Sequence, residues 1–281
     1  MTAFNHAREE VAMEYFKISK ASDRVFRIKD PFGATCTLIL GNRKALLADT
    51  GIGFGNIARA AETITDLPVI AVNTHEHLDH SMGGRFFEKV YMDRKCKDYI
   101  PLRNGNGYRR RVLQLYMPGG PVPGFSEEDY LAYDYSNVSF TDEHQVFDLG
   151  DINAELIPLP SHTPGSVGIL LHELELLLTG DSIAPLTSLM FEESLTPSEH
   201  AQVLEKVKEF KFNYMLCAHS EKAMERSFID VFIRFAGDIS SAQVYRYRDS
   251  IYPEIRANTY IYNDISGESA AFILNQDKEE K

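Results

Sequence analysis

Residues 74 to 80 read Thr-His-Glu-His-Leu-Asp-His, which places His75, His77, Asp79 and His80 within six positions. Imidazole nitrogen and carboxylate oxygen are ligands for a borderline ion such as zinc, at about 2.0–2.2 Å, and catalytic sites built from them keep a position open for water. Given the histidine and aspartate content of the chain, an H-x-H-x-D-H match arises by chance in roughly 5 of 10,000 such sequences, so the segment is read as a metal site. The preceding Pro-Val-Ile-Ala-Val-Asn-Thr has the composition of a buried strand. Alternation at its end sets His75 and His77 on one side, while the turn that follows directs Asp79 and His80 elsewhere, so that one segment can serve two ions.

Elements elsewhere in the chain can bring further ligands to this loop. From Tyr15 to Gly51, short apolar or alternating runs (YFKIS, VFRI, TCTLIL, KALLAD) separated by turn residues predict a β-meander. A short helix is expected over Ile57 to Ile64, a helical turn over GGRFFEKV and a strand at VYMD. Strand patterns return at QVFDL, AELIPL, SVGILL and LELLLTGD. Thr196, Pro197 and Glu199 signal a capped helix start, with the helix running to about Phe210. YMLCA predicts a strand leading to His219, Ala223 to Ile239 carries helical spacing, and TYIYN and AAFIL predict a hairpin around Ser266-Gly267. Sheets packed face to face with helices outside are the architecture these elements suggest.

With H-x-H-x-D-H, then Pro-Ser-His-Thr-Pro-Gly-Ser around His162, Leu-Leu-Thr-Gly-Asp-Ser around Asp181 and Ala-His-Ser around His219, the chain from about residue 15 to 220 resembles the metallo-β-lactamase superfamily. The resemblance implies an α/β fold, a four-layer αββα sandwich of two mixed β-sheets with helices outside. It implies two metal ions, zinc with iron or manganese as alternatives: His75, His77 and His162 on the first, Asp79, His80 and His219 on the second, and Asp181 bridging both. A hydroxide shared by the ions would be the nucleophile, with Asp79 orienting it and shuttling its proton. Asp49, in Asp-Thr-Gly, would support the ligands from behind. Gly83 and Gly84 would let backbones approach closely.

The 281 residues, 44% of them hydrophobic, suffice for one large core, and the net charge of −12 argues against a nucleic-acid backbone as partner. Three cysteines without a C-x-x-C pair suggest buried thiols rather than a disulfide framework or thiolate cluster. No run reads as a signal peptide or membrane span, so a cytoplasmic protein is expected. The expected organisation is one domain over 1–281, with an insertion or lid at 93–145 and a C-terminal helix plus hairpin at 222–276. The insertion carries Arg103, Arg109, Arg110 and Arg111, which could meet an anionic substrate group or simply face solvent. His6, His144, His172 and His200 are read as structural or exposed.

The function implied is hydrolysis of a small-molecule ester, thioester or lactone. An iron-dependent redox enzyme similar to the sulfur dioxygenases is the alternative, and a β-lactamase, a phosphodiesterase or a non-catalytic binding protein ranks lower. The substrate-binding residues are not identified by sequence. The tyrosine-rich tail could supply a homodimer surface as readily as it supplies core.

Overall fold

The computed structural model describes residues 15–117, 122–142, 144–264 and 267–279; His6 and Ser266 lie outside them. The chain divides into two compact units, Met1–Glu155 and Leu156–Lys281.

The first unit is built on a seven-stranded sheet whose order is the chain order: β1 (Lys17–Ser22), β2 (Val25–Lys29), β3 (Thr35–Leu40), β4 (Ala45–Ala48), β5 (Val69–Val72), β6 (Val90–Asp93) and β7 (Val138–Thr141). The expected meander forms β1 to β4, paired antiparallel. From β4 onward the pairings are parallel, so each connection must cross over the sheet. Helix α1 (Ile57–Glu62), capped by the Asn56 side chain on the Arg59 amide, makes the first crossover and buries Ile57, Ala60 and Ala61 against Leu38 and Leu47. The second carries α2 (Leu78–Ser81) and a 3₁₀ turn over Met82–Phe86. The third is the segment that sequence periodicity left without elements. It contains α3 (Asn106–Tyr116) and α4 (Glu127–Ala132), and Tyr130 from α4 is fully buried. A hairpin of β8 (Val146–Asp148) and β9 (Asn153–Pro158) closes the unit, the division falling within β9.

In the second unit, β9 continues a sheet with β10 (Val167–Leu171) and β11 (Leu176–Gly180). After β12 (Leu186–Leu189), β13 (Tyr214–Cys217) pairs parallel to β11, and β14 (Met224–Glu225) pairs antiparallel to β13. Helix α5 (Pro197–Val207) starts on the predicted capping box: Thr196 Oγ1 accepts from the Glu199 amide, and Glu199 accepts from the Thr196 amide at 2.9 Å. It ends at Val207, earlier than the apolar spacing suggested. Helix α6 (Phe228–Gly237) is shorter than the helical spacing from Ala223 implied, because Met224 and Glu225 pair with β13 instead. The C-terminal hairpin of β16 (Ala257–Asn263) and β17 (Ser269–Asn275) forms, and it belongs to a separate sheet of order β12-β17-β16-β15, with β15 at Gln243–Tyr247. No helix among the described residues is long and apolar enough to cross a membrane.

His200 lies in the core of this unit with no exposed surface, its ring edge-on to Phe232 and Phe272 at 5.8 and 5.6 Å. Neither ring nitrogen meets a hydrogen-bond partner. Burial pushes its pKa down to about 3. The folded state therefore holds a neutral ring, while the unfolded chain takes up a proton below about 6.5. Stability from this group is complete above about pH 6.5 and is lost as the pH falls toward 3, by on the order of 4 kcal/mol. His200→Leu should remove that part of the slope. Urea midpoints of both proteins from pH 7 to pH 4 check it, and parallel decline of the two would refute it.

Candidate metal centre

Adjacent parallel strands end side by side, and ligands gather at their carboxyl ends. In the first unit, β4 delivers Asp49 and β5 delivers the histidine segment, with the Asp49 amide bonded to the Val72 carbonyl at 2.8 Å. The His75 ring packs against both neighbours, at 4.7 Å from His77 and 4.1 Å from His80. The turn after His77, expected to point His80 elsewhere, instead carries its ring back beside His75 as the chain enters α2. All three rings are buried, and His80 Nε2 lies 3.5 Å from Asp79 Oδ2 on a carboxylate that is 31% exposed.

Asp49 sits behind this loop at φ +63° and only 4% exposed. Its Oδ1 accepts from the Thr74 amide at 2.7 Å, and its Oδ2 meets His80 Nδ1 at 3.0 Å. The loop is also held by close backbone approach: a Cβ at Gly83 would fall on the Thr50 carbonyl oxygen, and the Thr50 amide donates to the His80 carbonyl at 2.7 Å. Near the same loop, burial chiefly raises the carboxyl of Asp30 to about 6, against the bonds it accepts from the Phe32 and Ala34 amides and with a repulsive contribution from Asp79.

Sequence reading missed a second clamp. The Glu76 carbonyl, between two candidate ligands, accepts from Ser81 Oγ at 2.7 Å and from Asn104 Nδ2. Tyr135 joins both, its hydroxyl 2.9 Å from Ser81 Oγ and 2.8 Å from Asn104 Nδ2. Arg109 underlies the clamp: it is buried, and its guanidinium donates to the carbonyls of Asn104, Tyr130, Leu131 and Tyr133 at 2.7 to 3.2 Å. Arg109 is therefore neither a substrate contact nor a solvated surface residue. Arg110 faces solvent beside Glu127 at 3.6 Å.

In the second unit, His162 follows β9, Asp181 follows β11 and His219 follows β13. The parallel pairing of β11 and β13 sets the last two side by side, with the Ala218 amide bonded to the Gly180 carbonyl at 3.1 Å. Asp181 Oδ2 lies 3.3 Å from His219 Nε2 and 3.8 Å from His162 Nε2. His162 Nδ1 contacts the Ser188 carbonyl at 2.6 Å. A carbonyl only accepts, so Nδ1 carries the proton, and in the neutral ring Nε2 turns a lone pair toward the Asp181 carboxylate. Two electron-rich groups facing each other fit a cation between them. His80, with Nδ1 on one carboxylate and Nε2 facing another, repeats the arrangement. The donors are nitrogen and oxygen, and Cys36, Cys96 and Cys217 are buried thiols outside any disulfide, so the set suits zinc, iron or manganese.

Of the other histidines, His144 is exposed beside Glu155 at 2.9 Å, His172 lies in a short turn and His200 is the core residue described above.

The chain belongs to the metallo-beta-lactamase superfamily, whose family model matches residues 30–219. Its relatives include the acyl-coenzyme A thioesterase MBLAC2 of Gallus gallus, 26% identical over 188 residues, which are 61% of this chain and 67% of that protein. The hydroxyacylglutathione hydrolase GloC of Haemophilus influenzae is 27% identical over 154 residues, 53% of this chain and 66% of that protein. Among solved structures, the metallo-β-lactamase FIM-1 of Pseudomonas aeruginosa in its mono-zinc form has a TM-score of 0.57 at 15% identity, covering 80% of this chain and 96% of that one. The sec-alkylsulfatase Pisa1 of Pseudomonas sp. has a TM-score of 0.60 at 15% identity, over 82% of this chain but only 43% of that chain, so this chain spans less than half of the sulfatase. The structural likenesses agree with the α/β fold expected from the motifs.

Proposed function

We propose that the chain is a metal-dependent hydrolase of a small-molecule thioester, with other esters and lactones as the wider class. The observation that carries the metal is the pair of imidazole Nε2 atoms, from His162 and His219, that converge on one oxygen of Asp181. The ligand assignment follows the family pattern: His75, His77 and His162 for one ion, Asp79, His80 and His219 for the other, and Asp181 for both. When bound, the ions would supply Lewis acidity and an activated water.

The protein's own part is positional. Asp49 and the Ser188 carbonyl hold the protons of His80 and His162 on Nδ1, and the Ser81–Asn104–Tyr135 clamp fixes the backbone between His75 and His77. Burial pushes the Tyr135 phenol up, so it acts there as a neutral hydroxyl. Asp79, whose partial exposure supports the role, would accept a proton and hand it to the leaving group. The thioester is favoured because acyl-coenzyme A and hydroxyacylglutathione, named for the two relatives above, share that linkage. Metal analysis by mass spectrometry and assay of the same preparation against thioesters, lactones, phosphodiesters and a chromogenic β-lactam test the proposal. Two zinc ions with thioester turnover is the expected result; stoichiometric iron with oxygen consumption, or no metal, would overturn it.

A further inference from the structure

The family model ends at residue 219, and the segment beyond it carries a cleft of its own. A cavity of about 250 Å³ opens in the second unit where β15 runs out and β16 begins, lined by Arg246, Tyr247, Arg248, Ile255 and Arg256. Three arginines in one cleft stand out on a chain of net charge −12. Arg256 pairs with Asp277, while Arg246 and Arg248 form no ion pair among the described residues. The one carboxylate in the lining, Asp249, is engaged by its own loop: Oδ1 accepts from the Ile251 and Tyr252 amides at 2.8 Å, and Oδ2 accepts from the Tyr247 hydroxyl at 3.1 Å. Guanidinium forks match phosphate oxygens in pairs, and Tyr247 with Ile255 offers a wall for a flat, apolar group.

The cleft is also linked to a candidate ligand. Tyr252, whose amide is held by Asp249, packs edge-on against Phe191 at 5.2 Å, and Phe191 packs edge-on against His162 at 5.6 Å. The cleft is thus two ring contacts from His162 within the same unit, and a substrate with its phosphate in the cleft would extend along Tyr252 and Phe191 to bring its thioester to His162.

We propose that this cleft binds the phosphate-bearing end of the substrate, so that the thioester cleaved is carried on a phosphorylated nucleotide thiol rather than on a peptide thiol. This rests on the thioesterase reading above. Two measurements separate them. The first compares acetyl- and decanoyl-coenzyme A with the same acyl groups on N-acetylcysteamine, which has the thioester and no phosphate. The double variant Arg246→Ala/Arg248→Ala should raise KM for the coenzyme A esters about tenfold, leave kcat unchanged and leave the truncated esters unaffected, and the Arg246→Lys/Arg248→Lys protein should recover part of the loss. An equal effect on both substrate sets, or none on either, overturns the proposal.

The second measurement is calorimetric binding of adenosine 3′,5′-bisphosphate, which has neither thioester nor thiol, to the metal-loaded protein. Binding that weakens about tenfold in the alanine variant supports the cleft even if no thioester is turned over, in which case only the thioesterase reading falls. No binding, equal binding by the variant, or inorganic phosphate competing as strongly as the bisphosphate overturns the cleft assignment.

Discussion

Asp79→Asn should lower turnover by roughly 10²- to 10⁴-fold while the protein retains much of its metal. The substitution keeps the shape of the side chain and leaves one oxygen able to act as a ligand. It removes the capacity to take a proton, because an amide oxygen is a very weak base. Asp79 lies in the first turn of α2 and is 31% exposed, whereas the neighbouring His75, His77 and His80 are buried. In the proton role proposed above, that exposure would let it exchange protons with substrate and solvent, and a group with only a structural role would gain nothing from it. Mass spectrometry of bound metal alongside kcat on the best thioester makes the distinction. Turnover within a few-fold of the parent rejects the proton role, and loss of metal in proportion to turnover reduces Asp79 to a ligand.

The parts of the molecule that were legible from sequence are those whose information is local. His75, His77, Asp79 and His80 are packed into one segment, and Thr196 and Glu199 are three apart because one helical turn brings them together. The meander was legible because β3 and β4 are almost wholly buried and, apart from Thr35 and Thr37, apolar. Strand β15 was not, since Gln243–Tyr247 is mostly exposed and has no buried face to impose alternation, and β12 is only four residues long. The clamp on the Glu76 carbonyl was invisible for another reason. Asn104, Tyr135 and Arg109 act on main-chain atoms, which every residue possesses, so no motif records the partner. Met224 and Glu225 illustrate tertiary override: their helical spacing continues into α6, yet pairing with β13 takes them into a strand.

Asp49 offers the sharpest separation of folding from metal binding, because its two oxygens do different things. Oδ1 satisfies the buried Thr74 amide, and Oδ2 holds the proton on His80 Nδ1. Asp49→Ala loses both. The stranded amide costs about 1–3 kcal/mol, and the left-handed backbone at φ +63°, tolerable for aspartate, adds roughly 1 kcal/mol for alanine. Metal affinity should fall by about 10- to 100-fold as the His80 ring loses its orientation. Asp49→Asn keeps the left-handed preference and an oxygen for Thr74, so its unfolding midpoint should stay within about 1 kcal/mol of the parent. Its amide nitrogen, however, now faces His80 Nδ1 as a donor. The ring must answer with a lone pair on Nδ1 and place its proton on Nε2, where a metal ligand needs an electron pair. The asparagine variant is therefore expected to fold like the parent yet bind metal as poorly as the alanine variant, as read by denaturation and competitive chelation. If it loads metal as tightly as the parent, Asp49 supports the loop mechanically, and the tautomer of His80 is set by something else.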